Sequence, residues 1–131
     1  MKTLKQTYLI DVSVEEVWRA LVDPKIIDKW GGGPAKMEGK TGFEFSLWGG
    51  SIWGKNIKVL ENEKLVQEWF SEEENTWDKP STVTFMLSKL RGGGTKLDLL
   101  QKDVPDENVE DIENGWEEYY LGPLKEYLET K

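Results

Sequence analysis

The 131-residue chain contains no cysteine and no histidine. Without cysteine there is no disulfide and no thiol chemistry, which excludes a small secreted scaffold held by cross-links. Without histidine the usual general base near neutral pH is missing, and with it every Ser–His or Cys–His arrangement. Together the two absences remove the ordinary ligand sets for zinc. Carboxylates, Lys, Tyr, Ser and Thr are left for chemistry, and neither a metal nor a cofactor is expected. Positive charge is also short: 17 Lys and Arg stand against 25 Asp and Glu, for a net charge of −8. Phosphate backbones and anionic membranes repel such a chain, so nucleic acid is not an expected partner. No stretch approaches the roughly 20 apolar residues of a membrane span. The start, Met1 to Gln6, does not lead into a signal-type apolar core. The expectation is a cytoplasmic protein with one domain over residues 1–131.

What is present is patterned. Tyr8, Ile10 and Val12 alternate with Leu9 and Asp11 and predict a first strand. Ser13 followed by Glu16 reads as a capping box, in which each side chain satisfies a backbone donor of the other's turn. Val14, Val17, Trp18 and Leu21 then share one face of a short helix. Asp23-Pro24 opens a second helix, and the run Gly31-Gly32-Gly33-Pro34 ends it. From Ala35 to Lys102 the period changes to two. Strands are expected around Phe43–Leu47, Ser51–Leu60, Leu65–Ser71, Val83–Leu87 and Leu97–Leu99. They are separated by Gly49-Gly50, Glu61–Lys64, the acidic loop Glu72–Asn75 and Arg91–Gly94. Lys55 shares the phase of Trp53, Ile57 and Val59, which puts a charge inside or signals a bulge near Gly54. Val109, Ile112, Trp116, Tyr119/Tyr120 and Leu124 return to helical spacing, with Asp106, Glu107, Glu110 and Asp111 at the dipole's positive end. A helix from Glu107 to Glu129 spans about 34 Å, with a kink or break expected at Gly122-Pro123.

This order is β-α-α-β5-α, an α+β arrangement. A sheet with one apolar face needs a cover, and only the last helix is long enough. Several segments carry a family pattern. The first is Val14-Glu15-Glu16-Val17-Trp18-Arg19-Ala20-Leu21-Val22-Asp23-Pro24, continuing to Ile27 and Trp30. The second is Gly42-Phe43-Glu44-Phe45, then Gly54 through Leu65-Val66 to Trp69. The last two are Gly94-Thr95-Lys96-Leu97, and Gly115-Trp116 through Leu124-Lys125 to Leu128-Glu129. In this order they resemble the family of activator of heat-shock protein 90 ATPase homologues, a branch of the START/birch-pollen-allergen superfamily. The resemblance covers nearly the whole chain. It implies a helix-grip (START-like) fold: a six-stranded curved antiparallel sheet around a long C-terminal helix. It also implies a chaperone as a partner and a part in the stress response. The eukaryotic co-chaperone's separate N-terminal domain has no counterpart in these residues. Any role played by a late histidine in that family cannot be carried over to a chain without one.

Seven tryptophans is a high count. Trp30, Trp48, Trp53, Trp69, Trp77 and Trp116 come from different elements, and two readings stand: plain core packing, or a wall that stacks on an apolar or aromatic ligand. The candidate ligand-binding cavity, between sheet and terminal helix, comprises Trp30, Phe43, Phe45, Trp53, Trp69, Phe85, Trp116 and Tyr120. One of Tyr119 and Tyr120 is expected to face inward. The glycine clusters read as turns or as lips around a cavity mouth and match no phosphate-binding pattern. Glu44 and Glu68 are outward solubilising residues, unless the register turns Glu68 or Lys55 inward as a polar anchor. The expected function is non-enzymatic binding of a small hydrophobic or aromatic molecule. The alternative is a co-chaperone-like regulator acting through its surface on a heat-shock protein 90 ATPase. An enzyme of cyclase or hydrolase type is disfavoured by the missing His and Cys.

Overall fold

The structure, a computed structural model, describes residues 1–71 and 80–131. Strand β1 (Lys2–Ile10) is followed by helices α1 (Val14–Val22) and α2 (Pro24–Trp30), then by strands β2 (Glu44–Leu47), β3 (Ile52–Leu60), β4 (Lys64–Ser71), β5 (Ser81–Lys89) and β6 (Thr95–Val104). The chain ends with α3 (Val109–Gly115), a π turn at Trp116–Tyr120 and α4 (Leu121–Thr130). The strands form one antiparallel sheet in the order β1-β6-β5-β4-β3-β2. The expected helix-grip arrangement is therefore the one observed. The acidic loop and Trp77 lie outside the described residues.

Local chemistry accounts for the elements. Ser13 caps α1, its Oγ accepting from the Glu16 N–H at 3.3 Å. The reciprocal half of the expected capping box is not made: the Glu16 carboxylate pairs with Lys131 Nζ at 3.1 Å, tying α1 to the chain end. Asp23 Oδ1 accepts from the Lys25 N–H, Pro24 occupies the first turn of α2, and Gly31 closes that helix with φ 107°.

Period two sorts the sheet's inner face. Leu4 and Ile10 of β1, Phe45 and Leu47 of β2, and Leu65, Gln67 and Trp69 of β4 point in. So do Val83, Phe85 and Leu87 of β5, and Leu97, Leu99 and Gln101 of β6. Leu121, Leu124 and Leu128 of α4 are buried with them, joined by Val17, Trp18, Leu21, Ile27 and Trp30 from the two short helices. Lys125 Nζ donates to the Leu9 carbonyl and Glu129 accepts from the Asp11 N–H, which fixes α4 beside β1.

Two expectations change in β3 and the terminal helix. In β3 the inward residues are Gly54 and Asn56, so Trp53, Lys55 and Ile57 lie on the outer face. Lys55 stands opposite Glu68 there, and neither is a polar anchor in the interior. The bulge sits between Asn56 and Lys58 rather than near Gly54, and it returns Val59 to the core side. Gly54 has another purpose. A Cβ there would come within 1.8 Å of the Glu68 carbonyl oxygen and 3.0 Å of Phe45 Cζ, so its bare Cα lets the β4 backbone and the Phe45 ring pack against it. In the terminal helix the irregularity falls one turn before Gly122-Pro123. Pro123 has no N–H and its ring crowds the carbonyl four residues back. The chain widens into the π turn, where the Leu121 N–H reaches the Trp116 carbonyl. Gly122 is tight against Glu117: a Cβ would sit 1.9 Å from its carbonyl oxygen.

Candidate functional site

The space between sheet and terminal helix is occupied by aromatic rings gathered around one tyrosine. The π turn aims Tyr120 inward and leaves Tyr119 60% exposed. The Tyr120 ring lies 4.7 Å from Trp30, 4.9 Å from Trp116, 5.6 Å from Phe85, 5.9 Å from Trp48 and 6.0 Å from Trp69, centroid to centroid. Trp69 and Trp116 approach to 4.9 Å, and Phe45 joins through Trp69 at 6.2 Å. The tilted and edge-on orientations are those that ring quadrupoles favour.

The buried indoles are held by their N–H groups. Trp69 Nε1 donates to Gln67 Oε1 at 2.8 Å, and Gln67 Nε2 donates to Asn56 Oδ1 at 2.8 Å. Asn56 Nδ2 in turn donates to the Glu38 and Lys40 carbonyls. Trp116 Nε1 donates to Gln101 Oε1 at 2.8 Å, and Gln101 Nε2 donates to Ser81 Oγ at 2.9 Å. Trp30 Nε1 donates to the Ala20 carbonyl. Gln67 and Gln101 flank Val83 in one rank of the sheet, so two matching indole–glutamine relays cross the inner face. Each satisfies a donor whose burial alone would be unfavourable.

Tyr120 breaks this rule. Its hydroxyl is the one buried side-chain polar atom without a hydrogen-bond partner among the described residues. Burial pushes its pKa well above the ordinary phenol range, so the group stays a neutral donor. Tyr8, whose hydroxyl donates to Gln6 Oε1, is also shifted up, first by burial and then by the Glu117 carboxylate.

Beside the aromatic cluster a cleft of about 700 Å³ opens to solvent between the end of the β3–β4 pair and the first half of the terminal helix. Trp48, Trp69, Trp116 and Tyr120 form its aromatic wall, and Asp111 and Glu118 are its charged lining residues. Of the eight residues expected to line a cavity, Trp69, Trp116 and Tyr120 reach this cleft. Trp30, Phe45 and Phe85 are in the closed cluster behind it, and Phe43 is a half-buried residue packed against the core. Trp53 is a correction. It is 41% exposed and stacks on Phe70 on the outer face at 5.9 Å and 10°, because the inward phase of β3 belongs to Gly54 and Asn56. Gln101 was not among the expected site residues, and whether Gln67, Lys55 or Glu68 faces inward depends on a strand register that sequence leaves open; it is Gln67. The signal for the two was a glutamine in phase with Leu65 and Trp69, and another in phase with Leu97 and Leu99. Among the described residues no group of acidic side chains could hold a metal ion, and no helix is long and apolar enough to cross a membrane.

Comparison with known proteins adds the family. Residues 11–129 match the model of the Activator of Hsp90 ATPase homolog 1-like family. The activator of 90 kDa heat shock protein ATPase homolog of Dictyostelium discoideum is 29% identical over 126 residues, 95% of this chain and 32% of its own length. Homolog 1 of Homo sapiens is 25% identical over 125 residues, 95% of this chain and 36% of its own. The chain thus spans about a third of the length of these curated relatives. Among solved structures, an HSP90 activator from Plasmodium falciparum superposes with a TM-score of 0.85 at 27% identity, covering 98% of this chain and 97% of that one.

Proposed function

The chain belongs to the Activator of Hsp90 ATPase homolog 1-like family, and from that premise we propose that it binds a chaperone ATPase of the heat-shock protein 90 type through its surface and raises that enzyme's turnover. The observation that carries this reading is the likeness along nearly the whole chain to a Plasmodium protein described as an HSP90 activator. A cytoplasmic setting goes with it. The domain would act by binding, since it has no histidine or cysteine for acid–base or nucleophilic chemistry. The test is the steady-state ATPase rate of an Hsp90 with and without saturating chain, together with a pull-down. A rise in rate and a retained complex are expected; an unchanged rate at saturation refutes the reading.

A second reading, binding of a small hydrophobic or aromatic molecule, is favoured by a different observation. The cleft beside the cluster is of ligand size, and the aromatic residues Trp48, Trp69, Trp116 and Tyr120 line it. The closed part of the cluster argues for core packing at Trp30, Phe45 and Phe85. Ligand contact therefore falls to Trp48, Trp69, Trp116 and Tyr120. Proton–nitrogen NMR spectra of the indole N–H groups, recorded during titration with aromatic compounds, report on it directly.

A further inference from the structure

We propose that the cleft takes a planar aromatic molecule that is uncharged or cationic, and that it rejects carboxylate lipids and other anions. The inference rests on the small-molecule reading above and narrows it to a chemical class.

Two features of the wall set that class. The first is its aromatic content. The indoles of Trp48, Trp69 and Trp116 and the phenol of Tyr120 line the cleft, with Ile52 and Ile112 as the aliphatic lining among the described residues. Flat rings stack on aromatic side chains with more gain than a flexible alkyl chain, which loses rotamer freedom on entry. The second is charge. Asp111 and Glu118 are the charged residues of the lining among the described residues, and no Lys or Arg is among those. Among the described residues a bound carboxylate or sulfonate would meet two like charges and no cation, whereas a cation would meet two carboxylates beside several aromatic rings. The Trp69 and Trp116 N–H groups are already committed to Gln67 and Gln101, and those amides to Asn56 and Ser81. The Tyr120 O–H has no partner among the described residues but is buried and closed to a guest, so ring stacking and charge, rather than a hydrogen bond to these groups, set the selection.

The test uses a matched pair of probes, methyl 2-naphthoate and 2-naphthoate, which share ring and carbonyl but differ in charge. At low ionic strength the ester should shift the indole N–H signals of Trp69 and Trp116 and bind about tenfold more tightly than the acid, the scale set by two like charges across a solvent-exposed cleft. The Asp111→Asn/Glu118→Gln double variant should bring the two affinities to within about twofold. Binding of the acid as tightly as the ester, or an unchanged ratio in the double variant, overturns the charge selection while leaving the cleft as a site. No movement of the indole signals with either probe overturns the small-molecule reading itself.

Discussion

Tyr120→Phe is the most direct probe of how the interior is organised. The phenol is fully buried and its hydroxyl has no partner among the described residues. A buried hydroxyl without a hydrogen bond is unfavourable by about 1–3 kcal/mol in proteins. Removing one oxygen leaves a void smaller than a methyl group, which costs about 1 kcal/mol or less. The ring keeps its contacts with Trp30, Trp116 and Phe85. The net expectation is a gain of about 1 kcal/mol at pH 7, or about 4 °C in the midpoint for a domain of this size. Urea unfolding followed by tryptophan fluorescence and far-ultraviolet dichroism should show a higher midpoint at unchanged slope. Alkaline pH adds a second readout. The folded-state pKa of Tyr120 is raised, so its contribution is intact below the unfolded value near 10 and is lost as pH rises above it. In that range the unfolded phenol releases a proton that the folded one retains, and wild-type stability falls by about 1.4 kcal/mol per pH unit from this group. The Phe variant lacks that decline, so its advantage should widen with pH, while Tyr8, shifted in the same direction, acts equally in both proteins. A loss of 1 kcal/mol or more at pH 7 with unchanged slope would mean that the hydroxyl is hydrogen-bonded inside, and would refute the reasoning.

Gly54→Ala should destabilise by more than about 2 kcal/mol, since the added Cβ meets the Glu68 carbonyl at 1.8 Å in the middle of a paired strand; denaturant unfolding checks this. Gln101→Leu leaves the Trp116 N–H and Ser81 Oγ without their amide, which should cost about 1–3 kcal/mol and move the Trp116 indole signal in NMR spectra. Gly122→Ala separates two arguments of opposite sign. Helix propensity alone favours Ala by about 1 kcal/mol, whereas the Glu117 carbonyl 1.9 Å from the new Cβ forbids it in the π turn. Net destabilisation is expected, and a stabilised variant would show that the turn relaxes to a regular helix. In hydrogen exchange, α3 has no fully buried side chain, whereas α4 buries Leu121, Leu124 and Leu128. Amides of α3 should therefore exchange through local opening and those of α4 only near the global limit. Equal protection of the two helices would contradict this.

The fold was legible where one face of an element is uniformly apolar, and the site was not, because its ordering groups break that pattern. The alternation in β5 and β6 and the Ser13 and Asp23 caps each point to one arrangement, and the chain takes it. In β3 the same rule leads the wrong way. Trp53, Ile57 and Val59 look like an inward set, yet the inward residues are a glycine and an asparagine. Gly54 faces in because the Glu68 backbone and the Phe45 ring leave no room for a side chain there, and Asn56 faces in because its amide holds the Glu38 and Lys40 carbonyls and Gln67. A one-residue slip would turn Trp53 inward, but it would expose Asn56 and strip Trp69 of its relay. Gln67 and Gln101 belong to the same class: hydropathy counts them against burial, and the buried indoles require them. Pro123 announces an irregular helix, but the carbonyl that it crowds lies a turn earlier, so the distortion appears at Tyr120, the residue it rotates into the cluster. The polar residues on the inner face are thus what set the position of each aromatic ring. Those positions decide which rings close into the core and which are left as the wall of the cleft.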